Sequence, residues 1–283
     1  MKKNPFVYRP HLAKAKQAQQ ERASSPTKLM FVPRNSSTRI LSVSSNADFK
    51  KPIAPLPLHQ APKPLEAIDL GLTSARSRDL MVERLYRQGI RDERVLRAMQ
   101  QVPRHLFVSQ GLASRAYDSD ALPIGFGQTI SQPWVVARMI SMALEQRPAH
   151  RVLEIGTGCG YQAVVLSKIY KQVYTIERIQ GLYHQAQHNI AQLSQPPRLH
   201  MSLGDGRLGW PKQAPFDAII LAAAGLEIPQ ALLEQLAVGG ALIAPRGGET
   251  QHLVRMTRTS THNWREEILE KTRFVPLLSG TQT

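Results

Sequence analysis

From residue 151 onward, short apolar runs alternate with segments whose apolar positions recur every three to four residues. "RVLEI", "QVYTIE", "RLHMSLGD", "FDAIILAAA" and "GGALIAPRG" read as strands, and "YQAVVLSKIY", "IQGLYHQAQHNIAQL" and "PQALLEQL" as the helices between them. Strands separated by helices return in the same direction, so this order predicts a doubly wound, mostly parallel α/β sheet. "HLVRMTRT" and "WREEILEKTRFVPL" read as two further strands at the C-terminal end. Upstream, "SRDLMVERLYRQG" puts Leu80, Met81 and Leu85 on one helical face, with Gly89 as a C-terminal stop. "DERVLRAMQQVP" follows, with Asp92 as N-cap and Pro103 past the end, and then the apolar helix "WVVARMISMALEQ".

Before Thr73 no such period survives. Residues 1–72 are rich in Pro, Ser, Gln and Lys, and the prolines at 52, 55, 57, 62 and 64 favour extended backbone without amide donors. The expected organisation is a disordered basic arm over residues 1–72 and one domain over residues 73–283. Residues 1–70 hold twelve Lys/Arg against four Asp/Glu, a net +8 of the chain's +15. The arm reads as a solvated leader, or as a weak, salt-sensitive tether to nucleic acid or another anionic surface. A Ser/Arg-rich organelle transit peptide is a lesser alternative.

Charge and cysteine usage remove several classes. No apolar run approaches the roughly 20 residues of a membrane-spanning helix. Lys2 and Lys3 are followed by no apolar stretch, so no secretory signal is expected. Cys159 is the only cysteine, which excludes an intramolecular disulfide and a cysteine-based zinc site and fits a cytoplasmic protein. His184 and His188 stand four apart on a predicted helix, but no Glu follows the first and a solvated face is the expected reading.

Two stretches carry the chemistry. In "LEIGTGCGYQ", Glu154 ends a buried strand and Gly156, Gly158 and Gly160 lead into a helix, where backbone can approach a ligand closely. A dinucleotide fingerprint fails, because Tyr161 stands where its third Gly or Ala belongs. Glu177 ends the next strand, placed to accept ribose hydroxyl hydrogens, and Asp205 and Gly206 of "GDG" close the third, near an adenine amino group. The second stretch, "GFGQTISQP" (residues 125–133), is either the lip of an active site or a surface turn; it has no His, Cys, Asp, Glu or Lys.

The glycine turn, in the pattern E-x-G-x-G-x-G, resembles the loop of class I S-adenosylmethionine (AdoMet) methyltransferases. With "ALPIGFGQTISQP", "VLEIGTGCGYQ", "ERI", "GDG", "PFDAIILAAA", "GGALIAPRG" and "RFVPL", the chain from about residue 74 is similar to the protein-L-isoaspartate O-methyltransferases, and the arm lies outside the resemblance. That resemblance implies methyl transfer from AdoMet to the free α-carboxylate of isoaspartyl residues in damaged proteins and peptides, with repair through a succinimide. It implies Ser131 as the active-site serine and Thr129 beside it, with Glu154, Gly156, Gly158, Gly160, Glu177, Asp205 and Gly206 around the cofactor, no metal, and a monomer. Cys159 stands where small residues such as Ser are usual, as a simple replacement or as an oxidisable group near the cofactor.

The resemblance also accounts for the missing base. An α-carboxyl group has a pKa of about 3.5, so at neutral pH there is almost no proton to remove. The protein's task is then orientation and water exclusion, with orientation alone able to lower a barrier by up to about 7–11 kcal/mol. The rival readings are a nucleic-acid methyltransferase and a nucleic-acid-binding protein with an inactive methyltransferase fold. Amino-directed enzymes of the first kind commonly carry an Asn/Asp-Pro-Pro-aromatic motif after the fourth strand, where this chain has "LAAAG". Intact acids at 154, 177 and 205 argue against the second.

Overall fold

The computed structural model describes residues 7–8, 73–145 and 150–283. Its strands are β1 (Val7–Tyr8), β2 (Leu122–Gly125), β3 (Gln128–Ile130), β4 (Arg151–Ile155), β5 (Gln172–Glu177), β6 (His200–Leu203), β7 (Phe216–Leu221), β8 (Leu236–Gly247), β9 (Gln251–Ser260) and β10 (Asn263–Thr272). The helices are α1 (Ala75–Arg87), α2 (Glu93–Gln101), α3 (Pro133–Leu144), α4 (Tyr161–Ser167), α5 (Gln180–Ala191) and α6 (Gln230–Glu234).

Eight strands form one sheet in the order β1-β10-β9-β8-β7-β4-β5-β6. The five from β6 to β8 are parallel, and β9, β10 and β1 are added antiparallel. From β4 the chain winds outward through β5 and β6, then returns to β7 on the other flank of β4. The strand order therefore reverses between β4 and β7, and a crevice opens beyond the carboxyl ends of the strands at such a switch point. Helices cover both faces of the parallel core, so β4 and β7 are mostly apolar on both faces: Val152, Leu153, Ile155 and Ala218, Ile219, Ile220, Leu221 are all buried, and Glu154 is a buried acid among them.

Local signals decide where the helices begin and end. The Ser74 hydroxyl accepts from the Ser77 N–H, and the Asp92 carboxylate from the Arg94 N–H, so both short helices start on a side-chain cap. Met81 and Leu85 pack into the core as the helical period predicts, but Leu80 does not, and its side chain is half exposed. Two successive positions on a helix lie about 100° apart, so the stripe that buries Met81 and Leu85 leaves Leu80 at its margin.

The C-terminal strand is shorter than the sequence suggests. β10 ends at Thr272, and "RFVPL" leaves the sheet to cross the crevice. In place of a ladder it pairs briefly with the turn after β7: Ala224 donates to the Val275 carbonyl (2.8 Å) and Leu277 to the Ala224 carbonyl (2.7 Å). Of the segment expected to be a disordered arm, only Val7 and Tyr8 are described, paired with Arg265 and Trp264 at the outer edge of β10. The other residues of 1–72 lie outside the described set. Among the described residues, no helix is long and apolar enough to cross a membrane.

Candidate active site

Three turns at consecutive strand ends frame the crevice. After β4, Gly156 takes φ +93°, a conformation side chains rarely adopt, and its N–H bonds the Ile176 carbonyl at 2.9 Å. After β5, the buried Glu177 carboxylate gathers three amides: Oε2 accepts from Gly158 (2.8 Å), and Oε1 from Arg178 and Ile179 (2.9 Å each). This ties the glycine turn to the neighbouring strand. After β6, Gly206 reaches the crevice floor. Gly156, Gly158, Glu177 and Gly206 line one cavity with Ile155, Ile176 and Leu182.

The remaining residues expected around the cofactor sit beside or beneath this cavity. Gly160 caps α4 from behind, packed near Ile190 and Ala186. Asp205 stands at the rim and holds the C-terminal segment, with Oδ2 accepting from the Gly280 N–H at 2.8 Å and Oδ1 from Arg207 at 2.9 Å. Glu154 is fully buried on the face it shares with Thr175, with Oε2 accepting from the Thr175 hydroxyl at 2.5 Å. Thr175 in turn meets Thr157 of the glycine turn at 2.6 Å. Burial pushes the Glu154 carboxyl up to about 8, so at neutral pH it is held mostly protonated beneath the loop.

The stretch "GFGQTISQP" is a hairpin. β2 and β3 pair across a two-residue turn, Phe126–Gly127, in which both residues have positive φ, the geometry whose twist matches paired strands. Phe126 at the tip lies against Gly181 on α5, where a Cβ would come within 2.1 Å of its ring. The hairpin thus bridges the crevice wall and ends in Ser131. The half-buried Ser131 and the exposed Thr129 line the cavity already described, and both also line a second cavity with Ala121, Trp134, Lys271, Arg273 and Phe274. The two cavities share Thr129, Ser131, Ala222 and Val275, so they meet at the serine. The Ser131 hydroxyl has no hydrogen-bond partner among the described residues, and no histidine is among those lining either cavity. A Ser-His relay is therefore absent from this arrangement.

Cys159 is buried and its thiol is pushed up to about 11 by burial, which disfavours the thiolate that oxidation requires. It acts as a small apolar filler. His184 and His188 lie on the polar face of α5 beside Gln187 and Gln192.

The C-terminal segment is the part of the site that sequence reasoning missed. Val275, Pro276, Leu277 and Leu278 line the first cavity. Beyond them the Arg178 Nε donates to the Gly280 carbonyl (3.0 Å), Gln282 donates to the Arg178 carbonyl, and Gln180 donates to the Gln282 carbonyl (2.8 Å each). The proline in "RFVPL", which interrupts an otherwise regular strand pattern, was the available signal.

A doubly wound sheet with a glycine turn, an acid at the next strand end and a capped third strand end defines a Rossmann-like methyltransferase. The chain matches the family model for protein-L-isoaspartate(D-aspartate) O-methyltransferase over residues 76–282, and it belongs to that family. It is 55% identical over 253 residues to a protein-L-isoaspartate O-methyltransferase of Bordetella parapertussis, covering 89% of this chain and 94% of the relative. Identity to a Burkholderia vietnamiensis relative of the same name is 57% over 212 residues, 74% of this chain and 68% of the other. A solved structure titled as a protein-L-isoaspartate O-methyltransferase of Plasmodium falciparum, in complex with S-adenosyl-L-homocysteine, is similar with TM-score 0.62 at 25% identity. It matches 71% of this chain and 98% of that one. The Bordetella match is longer than the stretch from Thr73 to the C-terminus, so the similarity runs into the basic segment and is not confined to residues after 74. Motif reading could not find this, since the segment carries no glycine turn or strand pattern.

Proposed function

We propose that Ser131 is the point at which cofactor and acceptor meet in methylation of the free α-carboxylate of L-isoaspartyl residues. The observation that carries this reading is the pair of cavities joined at Ser131, Thr129, Ala222 and Val275. AdoMet fits the first cavity by the character of its lining: bare glycine backbone at 156, 158 and 206 and an acid at 177. When bound, AdoMet supplies a methyl group on a positively charged sulfur.

Gly156 and Gly158 leave room for the amino-acid portion, and Gly206 for the adenine, with Asp205 at the rim. Glu177 faces the ribose. Three of its roughly four acceptor positions already serve backbone amides, so Oε2 has one left, and a single direct ribose hydrogen bond is the reading the geometry favours. The acceptor brings its own anionic oxygen. With no proton to remove, Ser131 needs only to donate its hydroxyl to one carboxylate oxygen and leave the other facing the cofactor cavity.

The site serves isoaspartyl proteins and peptides, in a cytoplasmic monomer whose basic arm makes at most weak, salt-sensitive contacts with anionic partners. The small "LAAAG" turn offers neither hydrogen bond nor stacking surface to a base, which disfavours the nucleic-acid reading. A tritium-methyl transfer assay on an isoaspartyl peptide, its aspartyl twin and RNA tests the reading. Labelling of the isoaspartyl peptide alone is expected; equal labelling of both peptides, or of RNA only, overturns it.

A further inference from the structure

Behind Ser131 lies a charge that the reaction as described does not use. Arg104, in the short 3-10 turn Arg104–Phe107, is 0% exposed. Its Nε donates to the Ala116 carbonyl at 2.7 Å and its Nη2 to the Ser131 carbonyl at 2.7 Å. Its Cζ stands 4.9 Å from the centre of the Tyr161 ring, and the buried Nη1 has no acceptor. All these partners are neutral. A buried cation without an anion lowers stability, so its presence calls for a reason. Glu154, the fully buried acid of β4, is held mostly neutral and does not supply the missing charge.

We infer that Arg104 is a positioning residue for the acceptor: it fixes the Ser131 backbone through its carbonyl, and its unneutralised charge draws the acceptor's α-carboxylate to the serine. This rests on the acceptor reading above. The guanidinium fork suits the first task, because its planar donors span two carbonyls that a point charge cannot hold together. Burial suits the second. A charge shielded from solvent acts on an anion at the Ser131 hydroxyl with little screening by salt, unlike Lys271 and Arg273, which line the same groove from exposed positions.

The test compares an isoaspartyl peptide with its α-carboxamide twin, as dissociation constants from the full-length protein saturated with S-adenosylhomocysteine. Wild type should bind the carboxylate at least about tenfold more tightly, with the ratio nearly constant from about 50 to 500 mM KCl. Arg104→Gln should bring the ratio to within about twofold of unity while S-adenosylhomocysteine affinity is unchanged. Arg104→Lys should keep most of the ratio but lower kcat about tenfold, since the ammonium holds only one carbonyl firmly. A wild-type ratio near one, or an unchanged ratio in Arg104→Gln, overturns the inference. So does a ratio that collapses with salt, which assigns the preference to Lys271 and Arg273. If Arg104→Gln does not fold, Arg104→Lys and the salt series decide, and wild-type kcat in Arg104→Lys overturns the positioning role. Failure of wild type to methylate the isoaspartyl peptide at all would instead sink the acceptor reading itself.

Discussion

On the side of Ser131 proposed for the cofactor, Gly156, Gly158, Glu177 and Gly206 lie at or just after the ends of three successive strands. On the acceptor side, Ala121, Trp134, Lys271 and Phe274 are brought together from opposite ends of the domain, with Arg104 behind them. The glycine and acid positions of the first half are set by local backbone geometry at strand ends, and Val275, Pro276, Leu277 and Leu278 complete its lining. The second exists only once the hairpin, α3 and the segment after β10 have packed. Changes on the cofactor side should therefore act on cofactor affinity, and changes on the acceptor side on turnover.

The sharpest break should come from Gly156→Val. A β-branched residue at φ +93°, with its Cβ 3.4 Å from that of Ala222, would strain the turn and fill the cavity. S-adenosylhomocysteine affinity measured by calorimetry should fall about 100-fold or more. Glu177→Ala comes next. It removes the acceptor for three amides and the proposed contact to the ribose, so affinity should drop about tenfold to 100-fold and the thermal midpoint should fall. An unchanged cofactor affinity in this variant would remove Glu177 from the site.

Ser131→Ala tests the other half. Turnover on an isoaspartyl peptide should fall about tenfold with cofactor affinity within about twofold of wild type. Loss of both together would show that the halves are not separable.

Glu154→Gln probes what supports the cofactor half from below. The folded-state pKa near 8 lies above the ordinary carboxyl value, so the folded protein binds the extra proton between roughly pH 4.5 and 8. Its contribution is full below that window and is lost as pH rises through it. The variant has no proton to lose, so its thermal midpoint relative to wild type should rise by a few °C from pH 5 to pH 8. A pH-independent difference would mean that the carboxyl is charged in the folded state.

The smallest effect should follow deletion of residues 1–72, which precede every group of either cavity. The thermal midpoint should shift by no more than about 2 °C and peptide turnover should hold. A strong loss of either would mean that the arm packs on the domain beyond the Val7–Tyr8 pairing.

The sequence by itself determined the order of strands and helices, the caps at Ser74 and Asp92, and the crevice residues at 156, 158, 177 and 206, because each rests on short-range chemistry: period, capping side chains, and glycine where a side chain would intrude. It also marked the stretch that carries Thr129 and Ser131, as a lip or turn, and only the structure made it a hairpin. What only the tertiary structure decided is direction and meeting. An acid near a strand end reads the same whether it reaches the crevice, as Glu177 does, or is sealed beneath the glycine turn, as Glu154 does; the register puts both on one face, with Glu154 opposite Thr175 and Glu177 two residues further on, so depth along the strand and packing choose between them. "RFVPL" reads as strand until β10 ends and the segment crosses to the turn after β7. Arg104 reads as one more basic residue until folding buries it against a carbonyl 27 residues further along the chain. Long-range burial is a property of the whole packed domain, and no window of sequence contains it.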